Sequence, residues 1–299
     1  MSPEPLQTRS EQILNALTVD FEDWYHGLTR TMFRPDLWSS LPRRIDETAE
    51  FLLNLLAEVG VHATFFVLGD LARQSPQIIR QISASGHELG SHGYSHRRLF
   101  QLTPDEFRQD LDRTHQLIED ISGVSVTTYR APQFSINQDN LWAFDVLGEA
   151  GYQVDSSVFP MKTLLYGYPG ALRHPFQPSP KTNLMEYPAA TVQFGKMIIP
   201  IAGGVYNRIL PTVILRWGIQ RMNRQGFPAV IYMHPWEFDL HQPMIRVNPR
   251  ERITHYFGRT SLLKKIKFLI QEFSFAPLGL VHQRWTYFTD SIKETRGKD

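Results

Sequence analysis

Among 299 residues there is no cysteine. That absence excludes disulfides, thiolate metal sites and a cysteine nucleophile, and it fits a reducing compartment. Nor is there a run near the roughly 18 apolar residues of a membrane-spanning helix. The polar start MSPEPLQTRSEQ also lacks the apolar stretch of a signal peptide. These absences set the expectation of a soluble, cytoplasmic protein. Charge of one sign is missing too: 31 Lys and Arg stand against 30 Asp and Glu, for a net charge of +1. A general nucleic-acid or anionic-membrane binder carries a basic excess, so neither role is expected.

What is present is core-forming material, with 42% hydrophobic and 12% aromatic residues. The stretch ILNALTVD (13–20) is apolar and β-prone and ends on an aspartate, the pattern of a buried strand. Residues 43–59 place Ile45, Ala49, Leu52, Leu56 and Val59 on one helical stripe. GVHATFFVLG, HELGSH, VTTYRAP, YQVDSSVFP and FPAVIYMH (227–234) read as further strands. Helices are predicted at SPQIIRQISASG, from Thr103 to Gly123, and at 138–150, 211–225 and 260–273. Thr103, Pro104 and Glu106 give the second of these a capping signature.

Strand and helix alternate with short connections, which predicts a parallel sheet and an α/β barrel in one domain over 12–290. Residues 1–11 read as a disordered lead and 291–299 as a flexible tail. The Pro- and Gly-rich stretch 160–211 is expected to form long loops and a hairpin inside the domain. Asp20, His92, Arg130, Asp155 and His234 all fall at or just past strand ends, where parallel barrels gather their active sites.

The residue types at those ends point to chemistry. TVDFEDWYH (18–26) brings Asp20, Glu22 and Asp23 together, enough for a base beside a metal ligand, or for a solvated acidic turn. Within SHGYSH, His92 and His96 are spaced so that one tight turn can aim both imidazoles at one point, as zinc and related ions require. His87, back in the strand, reads as a bystander. Arg130 in YRAPQF can orient a carboxylate and hold it ionised. His234 closes an apolar strand and is followed by Trp236. Trp24, Tyr25, Phe134 and Trp236 can stack on a sugar ring or belong to the core.

In order along about 215 residues, the acidic strand end, H-x-x-x-H, R-x-P and the late strand ending in His resemble the polysaccharide deacetylases of the NodB-homology group, carbohydrate esterase family 4. GHELGSHGYSH is an especially close match to the family's second motif, while YRAP and GYQVDSSVFP match the third and fourth less tightly. VDFEDW, GGVYNRILP and YMHPWEFD look more like the subgroup encoded with bacterial exopolysaccharide loci.

The resemblance implies a distorted (β/α) barrel of about seven parallel strands and a hydrolase removing N-acetyl groups from amino sugars of a poly- or oligosaccharide. It implies one divalent ion, zinc first, with Co2+, Ni2+ or Mn2+ as substitutes. Carried onto this chain it makes Asp20 the base, His92 and His96 metal ligands, Arg130 the partner of Asp20, and His234 the acid. Asp155 is the expected carboxylate beside His234, and a backbone N–H near Pro132–Phe134 the expected oxyanion donor. The usual T-F-D-D motif is here D-F-E-D, which leaves the third ligand between Asp23 and Glu22. Strand alternation favours Glu22 and the subgroup pattern favours Asp23, which is taken as the expected ligand. Two other readings share these residues: a C–N hydrolase of a small amide such as a ureide or formamide, and a non-catalytic metal-binding scaffold of a polysaccharide assembly complex.

Overall fold

A computed structural model describes residues 13–32, 34–163 and 166–296; the lead expected at 1–11 lies outside them. Seven parallel strands run side by side in the order β9–β1–β2–β3–β4–β5–β6. They are β1 (Asn15–Phe21), β2 (Thr64–Val67), β3 (Glu88–Ser91), β4 (Thr128–Tyr129), β5 (Val154–Asp155), β6 (Met185–Glu186) and β9 (Val230–Met233). An eighth, β10 (Phe275–Ala276), pairs with the first two residues of β1. The expected parallel sheet of about seven strands is therefore present, as a half-barrel.

Between β6 and β9 the sheet is not continued by a strand pair. The hairpin β7 (Thr191–Phe194) and β8 (Met197–Pro200) stands there, antiparallel as expected for 160–211. Its flanks are tied to β9 by Ala190 N–H to the Val230 carbonyl (3.2 Å) and Tyr232 N–H to the Ala202 carbonyl (2.7 Å). The same stretch also supplies β6, which its irregular composition concealed.

All seven residues of β1 are buried, as befits a parallel strand covered on both faces. Its side chains divide by alternation. Leu17, Val19 and Phe21 pack outward in one cluster with Ile45, Ala49, Leu52 and Leu56, the stripe of the helix Ile45–Val59. Ala16 faces inward with Phe66, Val154 and Val230. Thr18 and Asp20 follow on that inner face, so the strand delivers Asp20 to the inside of the barrel's carboxyl end.

The helix Pro104–Ser122 begins at Thr103 with the expected reciprocal cap on Glu106 and ends at Gly123. Helices Thr212–Arg224 and Arg259–Glu272 also stand where the periodicity places them. The helix Leu278–Arg296 was not anticipated, and it runs through most of the expected tail.

Candidate active site

Asp20 lies under the mouth of the half-barrel, 3% exposed. Its Oδ1 accepts a hydrogen bond from Arg130 Nη1 at 2.7 Å, and the same nitrogen reaches Thr18 Oγ1 at 2.8 Å. Arg130 is wholly buried; its Nε donates to the Ser156 carbonyl and its Nη2 to Ser156 Oγ. Four bonds thus fix the guanidinium, and with it the direction of the carboxylate.

After β1 the chain turns, with Glu22 N–H bonded to the Asp20 carbonyl at 2.9 Å. This separates the two remaining acids. Glu22 Oε1 stands 3.0 Å from His92 Nε2 and 2.9 Å from His96 Nε2, and all three residues are buried. Asp23, the expected third member, is elsewhere. Its Oδ1 accepts the Trp24 N–H at 2.8 Å, and its Oδ2 accepts the N–H groups of Arg44 (2.8 Å) and Ile45 (3.1 Å). Asp23 caps two helix starts at once, and those donors direct its carboxylate away from the histidines. Burial lifts its pKa to about 6 in spite of these N–H groups. The carboxylate grouped with the histidines is Glu22. Burial works to raise its pKa, but the two imidazoles set against it, His96 first, hold it well below the usual range.

The donor set suits a divalent cation. His92 Nδ1 donates to the Arg130 carbonyl at 2.8 Å, which fixes the tautomer and leaves a lone pair on Nε2. That lone pair faces a carboxylate oxygen at hydrogen-bond distance, an arrangement that a shared cation or a proton must bridge. His96 Nδ1 is buried without a partner. Two imidazole nitrogens and one carboxylate oxygen within 4.8 Å of one another match the nitrogen and oxygen donors that zinc and related ions take.

His234 follows β9, with its Nε2 3.8 Å from Asp20 Oδ2. The carboxylate expected beside it, Asp155, is not there. Asp155 Oδ1 accepts from Ser157 Oγ at 2.5 Å, and Ser157 Oγ in turn accepts the Ala131 N–H at 2.7 Å. Asp155 therefore supports the backbone next to Arg130. Burial raises its pKa to about 6 and that of neighbouring Glu186 well above the ordinary carboxyl value.

The partner of His234 is Glu237, one 3-10 turn further on. Glu237 Oε2 accepts both the His234 backbone N–H (3.0 Å) and Nδ1 (3.1 Å). Its other oxygen accepts from Arg208 Nε at 2.7 Å, with both side chains 1% exposed. Arg208 also donates to the carbonyls of Thr254, His255 and Phe257. Burial alone would lower the His234 pKa. The bond and charge of Glu237, with Glu22 and Asp20 behind it, raise it to about 9. Both Arg208 and Glu237 were overlooked in GGVYNRILP and MHPWEF; the signal for Glu237 was an acid three residues after His234 in a Pro-led turn.

A cavity of about 480 Å³ opens over these groups. Phe134 and Trp236 line it, as does Tyr166 from the 160–211 stretch. Trp24 and Tyr25 do not: they pack with Trp38 and Trp236 in a buried cluster, and Trp24 Nε1 bonds the Pro42 carbonyl. Pro132 is buried in the turn before Phe134. Among the described residues three non-glycines have positive φ: His96 (57°), Gln133 (57°) and Phe134 (48°). All three line this cavity, and such backbone costs of order 1–3 kcal/mol each, so the surrounding fold is holding them there.

Residues 38–154 match the family described as polysaccharide deacetylase, and residues 156–282 match one described as a domain of unknown function (DUF3473). A peptidoglycan-N-acetylglucosamine deacetylase of Bacillus cereus is 34% identical over 93 residues, covering 31% of this chain and 34% of its own length. A peptidoglycan-N-acetylmuramic acid deacetylase of Bacillus subtilis is 35% identical over 92 residues, covering 31% and 20% respectively. The chain thus spans a fifth to a third of the length of these relatives. A crystal structure from Mycobacterium smegmatis described as a polysaccharide deacetylase aligns over 95% of this chain and 94% of its own, with a TM-score of 0.63 at 20% identity. That likeness establishes a shared fold.

Proposed function

We propose that this chain, which carries a polysaccharide deacetylase domain of the NodB-homology type, is a metal-dependent hydrolase that removes N-acetyl groups from amino sugars of a poly- or oligosaccharide. The observation that carries the reading is the meeting of three groups in one cavity. These are a carboxylate held by a buried arginine, an imidazole 3.8 Å from it, and the Glu22–His92–His96 donor set beside both.

In this reading Glu22, His92 and His96 hold one divalent ion, zinc first by donor type. When bound, such an ion lowers the pKa of water and polarises an acyl oxygen. Asp20, aimed by Arg130, takes a proton from the attacking water. His234 gives a proton to the departing nitrogen, so that one acetate and one amine leave for each water consumed. Glu237 fixes which imidazole nitrogen faces the cavity. Of the expected oxyanion donors, Pro132 has no N–H and the Phe134 N–H bonds the Ala131 carbonyl at 3.1 Å. The Gln133 N–H is left as the donor from that turn. Phe134 and Tyr166 form the wall against which a sugar ring packs, while Trp236, stacked with His234 and His255, offers the cavity only its edge.

The test is release of acetate from N-acetylated oligosaccharides by metal-loaded protein, beside ureides and formamides as competing substrates. Turnover of the acetylated sugars with none of the small amides supports the reading. Turnover of small amides alone, or none at all with any metal, overturns it.

A further inference from the structure

Between Glu186 and Glu237 lie fifty residues without one Asp or Glu, and five of them are Lys or Arg. The balanced charge of the whole chain conceals this local excess. The stretch builds the hairpin β7–β8 and the helix Thr212–Arg224 beside it. At the hairpin's turn Phe194 is 62% exposed and Met197 58%, with Gly195 and Lys196 between them. Phe194 meets Trp217 edge-on at 6.1 Å. Along the helix Val213, Trp217, Arg221 and Arg224 recur at spacings of three and four, one stripe that is exposed or half-buried throughout. Arg216 is paired with Glu272 and contributes little net charge.

Next to the hairpin is a second cavity of about 670 Å³, away from the residues described above. Arg173, His174 and Arg221 line it together with Leu172, and no carboxylate is among its lining residues. Arg173 donates to the neutral Gln193 Oε1 at 2.8 Å, which holds the guanidinium against the hairpin without cancelling its charge.

We propose that this face docks on an anionic phospholipid bilayer. Phe194 and Met197 enter the boundary between headgroups and acyl chains, while Lys196, Arg221 and Arg224 meet the phosphates and the Arg173-lined cavity admits a headgroup. Apolar residues at a tip with cations behind them are what interfacial binding requires. A soluble polyanion would leave Phe194 and Met197 in water. A second copy of the chain, paired through the same patch, would set one cationic row against its equal.

The experiment is co-sedimentation of the full chain with phosphatidylcholine vesicles, either pure or containing roughly one third phosphatidylglycerol. Binding is expected only with phosphatidylglycerol, and is lost at about 1 M salt, where the Debye length falls to about 3 Å. Lys196→Gln with Arg221→Gln should weaken it about thirtyfold, the worth of two interfacial charges. Phe194→Ser with Met197→Ser should weaken it at least tenfold. These four side chains are exposed, so the variants keep their fold. The proposal is overturned by absence of phosphatidylglycerol-dependent sedimentation at low salt. It is equally overturned if the Phe194/Met197 variant binds as well as the parent, or if light scattering shows that variant splitting a dimer.

Discussion

The two sides of the candidate site are built differently. On one, Asp20, His92 and Arg130 lie at the carboxyl ends of β1, β3 and β4 in one sheet, and Arg130 joins the other two: its Nη1 donates to Asp20 and its carbonyl accepts from His92 Nδ1. On the other, His234 depends on Glu237, which depends on Arg208, which is anchored to carbonyls 46 to 49 residues away in sequence. The first side is dictated by strand register. The second is dictated by where a loop-rich stretch is pinned, so it is the side on which substitutions should separate orientation from chemistry.

The largest effect should come from the register-built side. Asp20→Asn should reduce turnover by about 10²–10⁴-fold, the usual worth of a positioned base. Metal content by elemental analysis should stay at the parent level, because Asp20 and the donor set are separate. If the variant loses its metal, the two roles are not divided as the comparison requires.

His234→Ala should cost a similar factor on an N-acetyl amide, but much less on an activated ester whose leaving group needs no proton. Steady-state kinetics on the two substrates measure this. Equal losses would move His234 from proton donor to orienting group.

A smaller effect reports on the loop-built side alone. The raised pKa of His234, about 9, means the acid form survives to alkaline pH and activity falls as pH rises through that value. Glu237→Gln removes the strongest raising influence. The alkaline limb of the kcat profile should therefore move to lower pH, by about 1–2 units, with little change near pH 6. An unmoved alkaline limb would show that Glu237 serves packing only.

The smallest effect is on stability. Asp23→Ala removes caps from two helix starts, each worth about 0.5–2 kcal/mol. Denaturant midpoints should fall accordingly while activity of the folded protein persists.

How far the sequence could be read follows the same division. Alternation and apolar runs revealed β1, β2, β3 and β9 and the helix stripes, because register and burial act residue by residue. Asp20, His92, Arg130 and His234 could be picked out since each ends or directly follows such a run, and His96 because it stands four residues after His92. Asp155 was misassigned because its distance from His234 depends on sheet curvature, which no local pattern records. Asp23 was preferred to Glu22 on the subgroup pattern, although strand alternation pointed to Glu22; what D-F-E-D does not tell is that the N–H groups of Arg44 and Ile45 arrive beside Asp23. The strand β6 and the wall residue Tyr166 lay hidden in a stretch whose Pro and Gly content reads only as loop.

The central claim is that Glu22, and not Asp23, completes the donor set with His92 and His96. Its most direct test is the metal content per chain of purified Glu22→Gln and Asp23→Ala proteins after equilibration with zinc. The account predicts that Glu22→Gln loses the bound ion while Asp23→Ala keeps it at the parent stoichiometry. Retention by Glu22→Gln together with loss from folded Asp23→Ala would contradict it.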